Sequence, residues 1–270
     1  MAKAWAEGSS RAEAAAELPQ LARAVAIIPD GSGRWAESRG LPVAAGHRQG
    51  TRALRRTVEA AIDLGVESLA VYAFSTENWS RSPGEVDDLM EIFSETIERE
   101  LPDLARQGVR TRFVGRRDRA PSALRGQMAK LEEETAVLSR LQLWIAFDYG
   151  GRAELVEAAR RLLESGVSPS QVDEAVLATH LYAPEMQEPD LLIRTSGEVR
   201  ISNFLLWQLA YSELVFVDRL WPDFGEADLR GALETYASRR RRFGGRSEGS
   251  VREADQGRGS GETGRFPRDP

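Results

Sequence analysis

Along most of the chain, short apolar runs typical of strands alternate with longer runs whose mixture of apolar and polar positions is typical of helices. Short runs of consecutive apolar residues bounded by glycine, proline or polar residues predict buried strands. Longer runs with apolar residues three and four positions apart predict amphipathic helices. The six predicted strands are Val25–Ile28, Leu69–Phe74, Val109–Val114, Leu141–Phe147, Leu191–Ile193 and Leu214–Val217.

Helices are predicted between these strands and after the last one. Pro102 falls inside one of them and predicts a kink or an early stop there. Alternation of strands and helices predicts an α/β fold, with a single domain whose central sheet of about six strands is mostly parallel and is flanked by helices. The predicted helices are Arg48–Leu64, Glu85–Arg106, Ser122–Thr135, Ala153–Ser165, Val172–His180, Asn203–Tyr211 and Ala227–Arg242.

Composition divides the chain into three parts. Residues 1–21 form an N-terminal extension, residues 22–244 carry the ordered pattern, and residues 245–270 are rich in glycine, serine and charge. The last segment has too few apolar residues to order itself, so a disordered tail is predicted. No run approaches the roughly 20 apolar residues of a membrane span, and a cytoplasmic location is expected.

Charge and residue usage narrow the candidate chemistry. The net charge of −6 disfavours bulk binding of nucleic acid, and the arginine run 239–242 suits the end of a helix. Thirty-four of the 36 basic residues are arginine, which grips phosphate better than lysine. Without cysteine, and with two histidines, the chain is expected to hold any metal through oxygen, which favours magnesium.

Residues suited to an anion site follow the first predicted strand, from Asp30 to Trp35. Sites in open parallel sheets lie beyond the carboxyl ends of the strands. Gly31 and Gly33 let backbone N–H groups approach a phosphate, whereas Asp30 offers a metal ligand and Arg34 a guanidinium fork. The alternative is an ordinary turn with a surface arginine. The spacing matches neither the dinucleotide-binding nor the P-loop glycine pattern.

Four further features lie near the ends of predicted strands or helices. The segment 75–81 combines hydrogen-bonding, aromatic and basic side chains, which suit a binding site. The alternative is a polar loop with a capping serine. His47 is either a ligand contact or structural. Arg194 and Arg200, with nearby serines, lie beside a predicted helix start and suit a diphosphate. Glu213 is either a second metal ligand or a solvated carboxylate, and the residues alone leave both open.

Taken together, these segments resemble the cis-prenyltransferase family. The resemblance runs in order over about residues 25–244, with the spacing of the family. Because several motifs match jointly, the resemblance is highly specific. The matching motifs are Asp30-Gly31-x-Gly33-Arg34-Trp35, Gly46-His47, Tyr72-Ala73-Phe74-Ser75-x-Glu77-Asn78-Trp79, Tyr149-Gly150-Gly151-Arg152, the segment 190–208, Ala210-Tyr211-Ser212-Glu213-Leu214 and Leu220-Trp221-Pro222-Asp223-Phe224.

The resemblance implies a magnesium-dependent transferase that elongates prenyl chains. Isopentenyl diphosphate would attack an allylic diphosphate, farnesyl or geranyl, and then lose a proton to leave a cis double bond. The product would be a medium- or long-chain Z-polyprenyl diphosphate that grows in a hydrophobic tunnel. The resemblance further implies a homodimer, loose association with a membrane through the lipid product, and no nucleic-acid partner.

The resemblance also implies roles for individual residues. Asp30 would bind magnesium and assist departure of the allylic diphosphate, and Glu213 would be the second protein ligand. Asn78 would relay or position the departing proton, since an amide is a weak base. Ala73 and Leu141 would line the tunnel. Substrate binding would involve Gly31, Ser32, Gly33, Arg34, Trp35, His47, Ser75, Thr76, Glu77, Trp79, Arg81, Arg194, Arg200, Ile201 and Ser202.

Four positions depart from the family pattern: Ser32, Val43, Arg116 and Val199. The first two are expected to weaken binding of the allylic substrate. Val199 replaces a histidine that is a magnesium ligand in some members. Because the other charged and amide positions remain, an active enzyme is expected. The alternative is a catalytically weak or silent subunit of the same fold that supports a partner enzyme.

Overall fold

Six strands form the centre of the computed structural model, which describes residues 22–239 except for the side chains of residues 101 and 102. The predicted extension 1–21 and tail 245–270 lie outside the described residues. The strands are β1 (Ala24–Ile28), β2 (Ser68–Ser75), β3 (Val109–Val114), β4 (Leu141–Tyr149), β5 (Leu191–Arg194) and β6 (Glu213–Phe216).

All neighbouring strands are parallel, and their order across the sheet is β3-β4-β2-β1-β5-β6. β1 and β5 are buried along their whole length. Strands covered on both faces need apolar side chains on both, which explains their continuous apolar runs. The α/β class is confirmed, and every strand begins and ends within two residues of its predicted bounds.

Helices connect the strands, and four of them differ from the predictions. A short helix after β1 was not predicted, and the next helix begins at Val43 rather than Arg48. The helix containing Pro102 continues to Arg106 without the early stop, and the last helix ends at Ser238, before the predicted end at Arg242, because Arg239 is extended. The helices are α1 (Ser32–Glu37), α2 (Val43–Asp63), α3 (Pro83–Arg106), α4 (Ser122–Glu134), α5 (Gly151–Glu164), α6 (Glu174–Ala178) and α7 (Glu226–Ser238).

The helix predicted over Asn203–Tyr211 is wrong, because this segment forms successive turns. Ser202, Asn203 and Leu205 have φ angles of 48°, 64° and 42°. These angles lie in the left-handed region, which a right-handed helix cannot include. The segment instead folds back as an irregular loop near the carboxyl end of β5.

The connections fix the direction of two long helices. β1 ends at the carboxyl edge of the sheet and β2 begins at the amino edge, so α2 runs from the carboxyl edge to the amino edge. The same reasoning applies to α3, which joins β2 to β3, and α2 and α3 therefore run side by side in the same direction. Within residues 22–239, no helix combines the length and apolar character needed to cross a membrane.

Candidate functional site

The loop after β1 meets the loop after β5 at the carboxyl edge of the sheet. The backbone N–H of Asp30 donates to Thr195 Oγ1 at 2.7 Å, and that hydroxyl donates back to Asp30 O at 2.8 Å. Gly31 has a φ of 102°, and a Cβ there would lie 2.7 Å from the Leu220 side chain. Glycine is therefore required where the chain turns from β1 into α1.

Asp30 presents a half-buried carboxylate between two arginines. Its Oδ2 accepts a hydrogen bond from Arg194 at 2.8 Å, and its Oδ1 lies 3.7 Å from the Arg34 guanidinium. Burial by itself would raise the pKa of Asp30, but the hydrogen bond from Arg194 and the two positive charges outweigh it and hold the pKa below its usual value. The carboxylate is therefore ionised at neutral pH, as a metal ligand must be.

Arg194 is the buried centre of the site, with a side chain that is 4% exposed. Besides Asp30, it donates to Ser202 Oγ at 2.7 Å and to the carbonyl oxygen of Arg200 at 2.6 Å. Its Nε is buried and has no hydrogen-bond partner among the described residues. Arg194 therefore connects the loop after β1 to the loop after β5.

Arg34 and Arg200, which are both more exposed than Arg194, border this centre. Arg34 donates to Ser196 Oγ at 2.6 Å and to the Ser196 carbonyl oxygen at 3.2 Å. Glu198 lies 3.6 Å from Arg34 and is also paired with Arg200. Three arginines predicted to bind diphosphate therefore lie close together, as the sequence implied: Arg34, Arg194 and Arg200. Ser196 is one of the two serines that the sequence placed beside these arginines. Thr195 was not predicted as a site residue, although its place between strand end and glycine could have indicated it.

The segment after β2 forms a short 3₁₀ helix over Thr76–Ser80. Asn78 Oδ1 accepts from the backbone N–H of Ser75 at 2.9 Å, and this closes a capping box. Glu77 accepts from Asn203 at 2.9 Å. Burial by itself would raise the pKa of Glu77, but the hydrogen bonds from Asn203, from the backbone N–H of Glu77 and from Ser75 and Thr76 together hold the pKa below its usual value. Asn203 therefore joins the loop after β2 to the loop after β5.

Trp79 and Arg81 complete this segment. The Trp79 ring packs against Phe74 with centroids 5.0 Å apart, and the Arg119 guanidinium lies 4.8 Å from its centre. Its indole Nε1 is buried without a hydrogen-bond partner among the described residues. Arg81 pairs with Glu85 at 2.6 Å on the first turn of α3. These contacts fix the 3₁₀ helix over the start of α3.

His47 lies on the first turns of α2 and, like Ser32, lines a large cavity. Burial, and to a smaller extent the charge of Arg81, lower the pKa of His47 against the opposing charges of Glu85 and Asp88. The imidazole is therefore neutral at pH 7. Its Nε2 is buried without a hydrogen-bond partner among the described residues, and a neutral ring can offer it as donor or acceptor.

The cavity lies between α2, α3 and one face of the sheet, and it begins at the carboxyl edge near Pro29 and Ser32. It holds about 1150 Å³ of space free of atoms, part of it open to solvent, and its wall is mostly apolar. Ala73 lines it, as predicted. Leu141 is fully buried at the amino end of β4, on the same face of the sheet as the lining residues Leu143 and Ile145, but it does not itself line the cavity.

Glu213 is not brought to Asp30 within one chain. It begins β6 and pairs in register with Leu191, at the amino edge of the sheet, whereas Asp30 follows the carboxyl end of β1. Its carboxylate accepts from Arg239 at 2.8 Å. The sequence already indicated this separation, because Glu213 precedes a predicted strand whereas Asp30 follows one, and these positions lie at opposite edges of a parallel sheet.

The remaining predicted residues lie around this centre. Trp35 Nε1 donates to Asp223 at 2.8 Å, which turns the indole toward the segment that follows β6. Gly33 is surrounded by open space, and Ser32 is buried where α1 begins. Ile201 packs against a second apolar cluster, on the face of the sheet away from the cavity.

The donors near Asp30 suit magnesium held jointly with substrate. Among residues 22–239, no three metal-ligating side chains lie close together. Magnesium usually keeps several waters and binds one or two carboxylates together with substrate phosphates. An ionised Asp30 beside phosphate-binding arginines fits that pattern, whereas a metal caged entirely by protein side chains does not.

Comparison with known proteins agrees with this geometry. The Prenyltransf family model, described as undecaprenyl diphosphate synthase, matches residues 28–244. A ditrans,polycis-undecaprenyl-diphosphate synthase ((2E,6E)-farnesyl-diphosphate specific) of Xanthomonas axonopodis pv. citri is 49% identical over 226 residues, which span 82% of this chain and 88% of that one. An isoprenyl transferase of Thermotoga maritima is 46% identical, over 82% of this chain and 96% of that one.

A solved structure extends the comparison to the fold. The lavandulyl diphosphate synthase from Lavandula x intermedia, in complex with dimethylallyl diphosphate, superposes with a TM-score of 0.81 at 38% identity. The match covers 83% of this chain and 99% of that one. A family model over most of the chain, and relatives near half identity, show that the chain belongs to the undecaprenyl diphosphate synthase family and is an enzyme that transfers prenyl groups.

Proposed function

We propose that the enzyme catalyses magnesium-dependent cis-prenyl chain elongation, in which isopentenyl diphosphate condenses with farnesyl or geranyl diphosphate. The product is a medium- or long-chain Z-polyprenyl diphosphate. One observation carries the proposal: a cluster of arginines and an ionised aspartate opens directly beside a long apolar cavity. Two diphosphates need the first feature, and a growing hydrocarbon chain needs the second.

The charged residues act on the allylic diphosphate. Its C1–O bond breaks, and negative charge accumulates on the departing diphosphate, where Arg34 and the N–H groups near Gly31 and Gly33 stabilise it. Magnesium held by Asp30 would supply further positive charge to the same phosphate oxygens. His47, neutral and at the mouth of the cavity, is placed to hydrogen-bond the same group.

Isopentenyl diphosphate binds on the side of Arg194, Arg200 and Ser202. The exposed Arg200 exchanges its contact with Glu198 for phosphate, while Arg194 stays buried and orients the loop. The terminal alkene carbon C4 of isopentenyl diphosphate forms the new C–C bond, which leaves positive charge at C3. A proton then leaves C2, and its bonding electrons form the new C2–C3 double bond. Asn78, fixed by the capping box, positions the group that accepts this proton.

The apolar wall protects the reacting carbons from water, which would quench a carbocation-like transition state. The allylic chain lies along the cavity beyond Ala73, between α2 and α3. A homodimer, a cytoplasmic location and loose membrane association through the lipid product belong to the proposal. Because Glu213 lies at the other edge of its own sheet, its role as a metal ligand requires the second copy to supply it.

Condensation with labelled substrate tests the proposal. Purified enzyme, farnesyl diphosphate, radiolabelled isopentenyl diphosphate and magnesium should yield labelled polyprenyl diphosphate that extracts into butanol. Asp30→Ala should lower turnover roughly a hundredfold or more, because the leaving group loses its metal. Asp87→Ala, an exposed aspartate of α3, is the matched control and should keep wild-type turnover.

Two results would count against this function. Undiminished turnover by Asp30→Ala would overturn the role of that carboxylate. A folded wild-type protein that makes no product, yet stimulates another prenyl synthase, would identify a silent supporting subunit instead.

A further inference from the structure

Asn203 lies where the loops after β2, β4 and β5 meet at the carboxyl edge of the sheet. Its backbone carbonyl oxygen accepts from the N–H of Gly151 at 2.7 Å, and its Oδ1 accepts from the N–H of Arg152 at 2.9 Å. Its Nδ2 donates to Glu77 Oε1 at 2.9 Å. One half-buried residue therefore binds two other loops at the same time.

Asparagine suits this position for two reasons. Its φ of 64° lies in the left-handed region, which asparagine tolerates better than most other residues. The N-cap of α5 is Gly150, which has no side chain to accept from the first N–H groups of the helix. Asn203 supplies those acceptors, although it lies 51 residues from Arg152 in the chain. With the amide oxygen directed at α5, the NH₂ group is directed at Glu77.

The packing around Asn203 leaves no room between these loops. A Cβ on Gly150 would lie 2.6 Å from Thr76 Oγ1 and 2.9 Å from Asn203 Nδ2, which is closer than real Cβ atoms approach such neighbours. Glycine at position 150 therefore allows the 3₁₀ helix and the loop after β5 to approach each other. The hydrogen bond from Asn203 to Glu77 fixes their separation.

The same hydrogen bond links the two sides of the reacting centre. Ser202, next to Asn203, accepts from Arg194 at 2.7 Å on the side assigned to isopentenyl diphosphate. Glu77 is next to Asn78, which the capping box fixes. Removal of the proton from C2 depends on the distance between these sides. A displacement of about 1 Å can lower a rate roughly a hundredfold.

We propose that Asn203 is a positioning residue whose amide sets the distance between bound isopentenyl diphosphate and the segment that carries Asn78. The inference rests on the proposed chain-elongating function. The contacts of Asn203 are to α5 and Glu77, so it orients the loop that binds the diphosphate and does not hold the diphosphate itself. Loss of its link to Glu77 should therefore slow the chemical step and leave the affinity for isopentenyl diphosphate nearly unchanged.

Asn203→Asp breaks this link without changing the size of the side chain. A carboxylate still accepts from the Arg152 N–H, and negative charge is favourable at the N-terminus of α5. It has no N–H to donate to Glu77 and repels that carboxylate instead. Glu77→Gln moves an amide to the other side of the contact, so the combination Asn203→Asp/Glu77→Gln restores a hydrogen bond between the two positions.

Gln127→Glu is the matched control. Gln127 Nε2 of α4 donates to Glu98 Oε1 of α3 at 2.7 Å, and neither residue lines the cavity. The substitution makes the same exchange of an amide for a carboxylate against a glutamate, but away from the site. It measures what such a repulsion does to the fold alone.

The experiment follows the first condensation in a single turnover, with enzyme in excess over farnesyl diphosphate and a varied concentration of radiolabelled isopentenyl diphosphate. The rate at saturation then reports on the chemical step and not on release of the lipid product. We expect Asn203→Asp to lower this rate roughly tenfold, less than a full displacement would, because water weakens repulsion between exposed groups. The half-saturating concentration of isopentenyl diphosphate should stay within about twofold of wild type.

The combined variant tests whether the effect passes through Glu77. In the Glu77→Gln background, Asn203→Asp should lower the saturated rate less than about twofold, because the two substitutions together restore the link. Gln127→Glu should keep the wild-type rate.

The outcomes separate this inference from the proposed function. A folded wild-type enzyme that makes no product overturns both. The inference alone is overturned by a wild-type rate in Asn203→Asp, by an equal fall in the Glu77→Gln background or in Gln127→Glu, or by a change confined to the half-saturating concentration. Should Asn203→Asp fail to fold, Asn203→Gly decides, because glycine adopts the left-handed angle and removes the same hydrogen bond without adding charge; a wild-type rate from it overturns the inference.

Discussion

Replacement of Arg194 by methionine tests whether one buried guanidinium holds the site together. Methionine fills most of the same space but removes the hydrogen bonds to Asp30, Ser202 and the carbonyl oxygen of Arg200. Hydrogen bonds to charged groups contribute about 1.5–3 kcal/mol each. Much of that sum is offset, because burial of a guanidinium that is 4% exposed itself costs free energy.

The second arginine beside Asp30, Arg34, also limits the loss of stability. Asp30 is 31% exposed and keeps Arg34 at 3.7 Å, so its charge is not left buried alone. We therefore expect Arg194→Met to lower the free energy of unfolding by about 2 kcal/mol, less than the 3–5 kcal/mol typical of a fully buried broken pair. With a urea m-value of about 2 kcal/mol/M, the unfolding midpoint should fall by about 1 M.

Urea unfolding followed by far-UV circular dichroism measures this shift. Arg34→Met is the matched control: it also removes an arginine beside Asp30, but one that is 48% exposed, so the expected loss is under about 1 kcal/mol. A midpoint for Arg194→Met within about 0.2 M of wild type would refute the reasoning. Equal decreases in the free energy of unfolding of the two variants would show that the burial of the arginine does not determine its contribution to stability.

Two further predictions concern pH and close packing. The pKa of His47 is lowered on folding, so the unfolded state binds more protons below about pH 6.5, and the free energy of unfolding should fall on acidification from pH 7 to pH 5. His47→Gln should show a smaller fall in urea midpoint over this range, and an equal fall would contradict the assignment. A Cβ on Gly46 would lie 2.1 Å from the Ser32 carbonyl oxygen, so Gly46→Ala should cost about 1–3 kcal/mol. Gly33→Ala, in open space, should leave the melting temperature nearly unchanged, and a similar drop in both alanine variants would disprove the steric argument.

The strands could be predicted from the sequence because buried parallel strands are continuous apolar runs with clear ends. α1 was missed since six residues with a glycine among them carry no helical periodicity. The segment Asn203–Tyr211 was misassigned because its composition favours a helix, whereas the hydrogen bonds of Asn203 to Glu77 and Arg152 hold a left-handed backbone.

The site was predicted in part. Motif resemblance grouped Asp30, Arg34 and Arg194, and they lie close together because Arg194 ends β5 at the edge of the sheet where Asp30 and Arg34 follow β1. It could not indicate the ion pairs of Arg55 with Glu100 and Asp103 at the cavity wall, since Arg55 and Asp103 lie on different helices and meet through tertiary packing. Their spacing along each helix is that of ordinary exposed residues.

The placement of β1 at the middle of the sheet has a consequence for folding. β1 pairs with β2, close in sequence, and with β5, so Asp30 and Arg194 meet across 164 residues. Contacts of long sequence separation require closure of a long loop and form slowly. A nascent chain can therefore join its first four strands while the anion site is still in two pieces. During refolding, recovery of activity should report the docking of β5 rather than formation of the part of the sheet made by the first four strands.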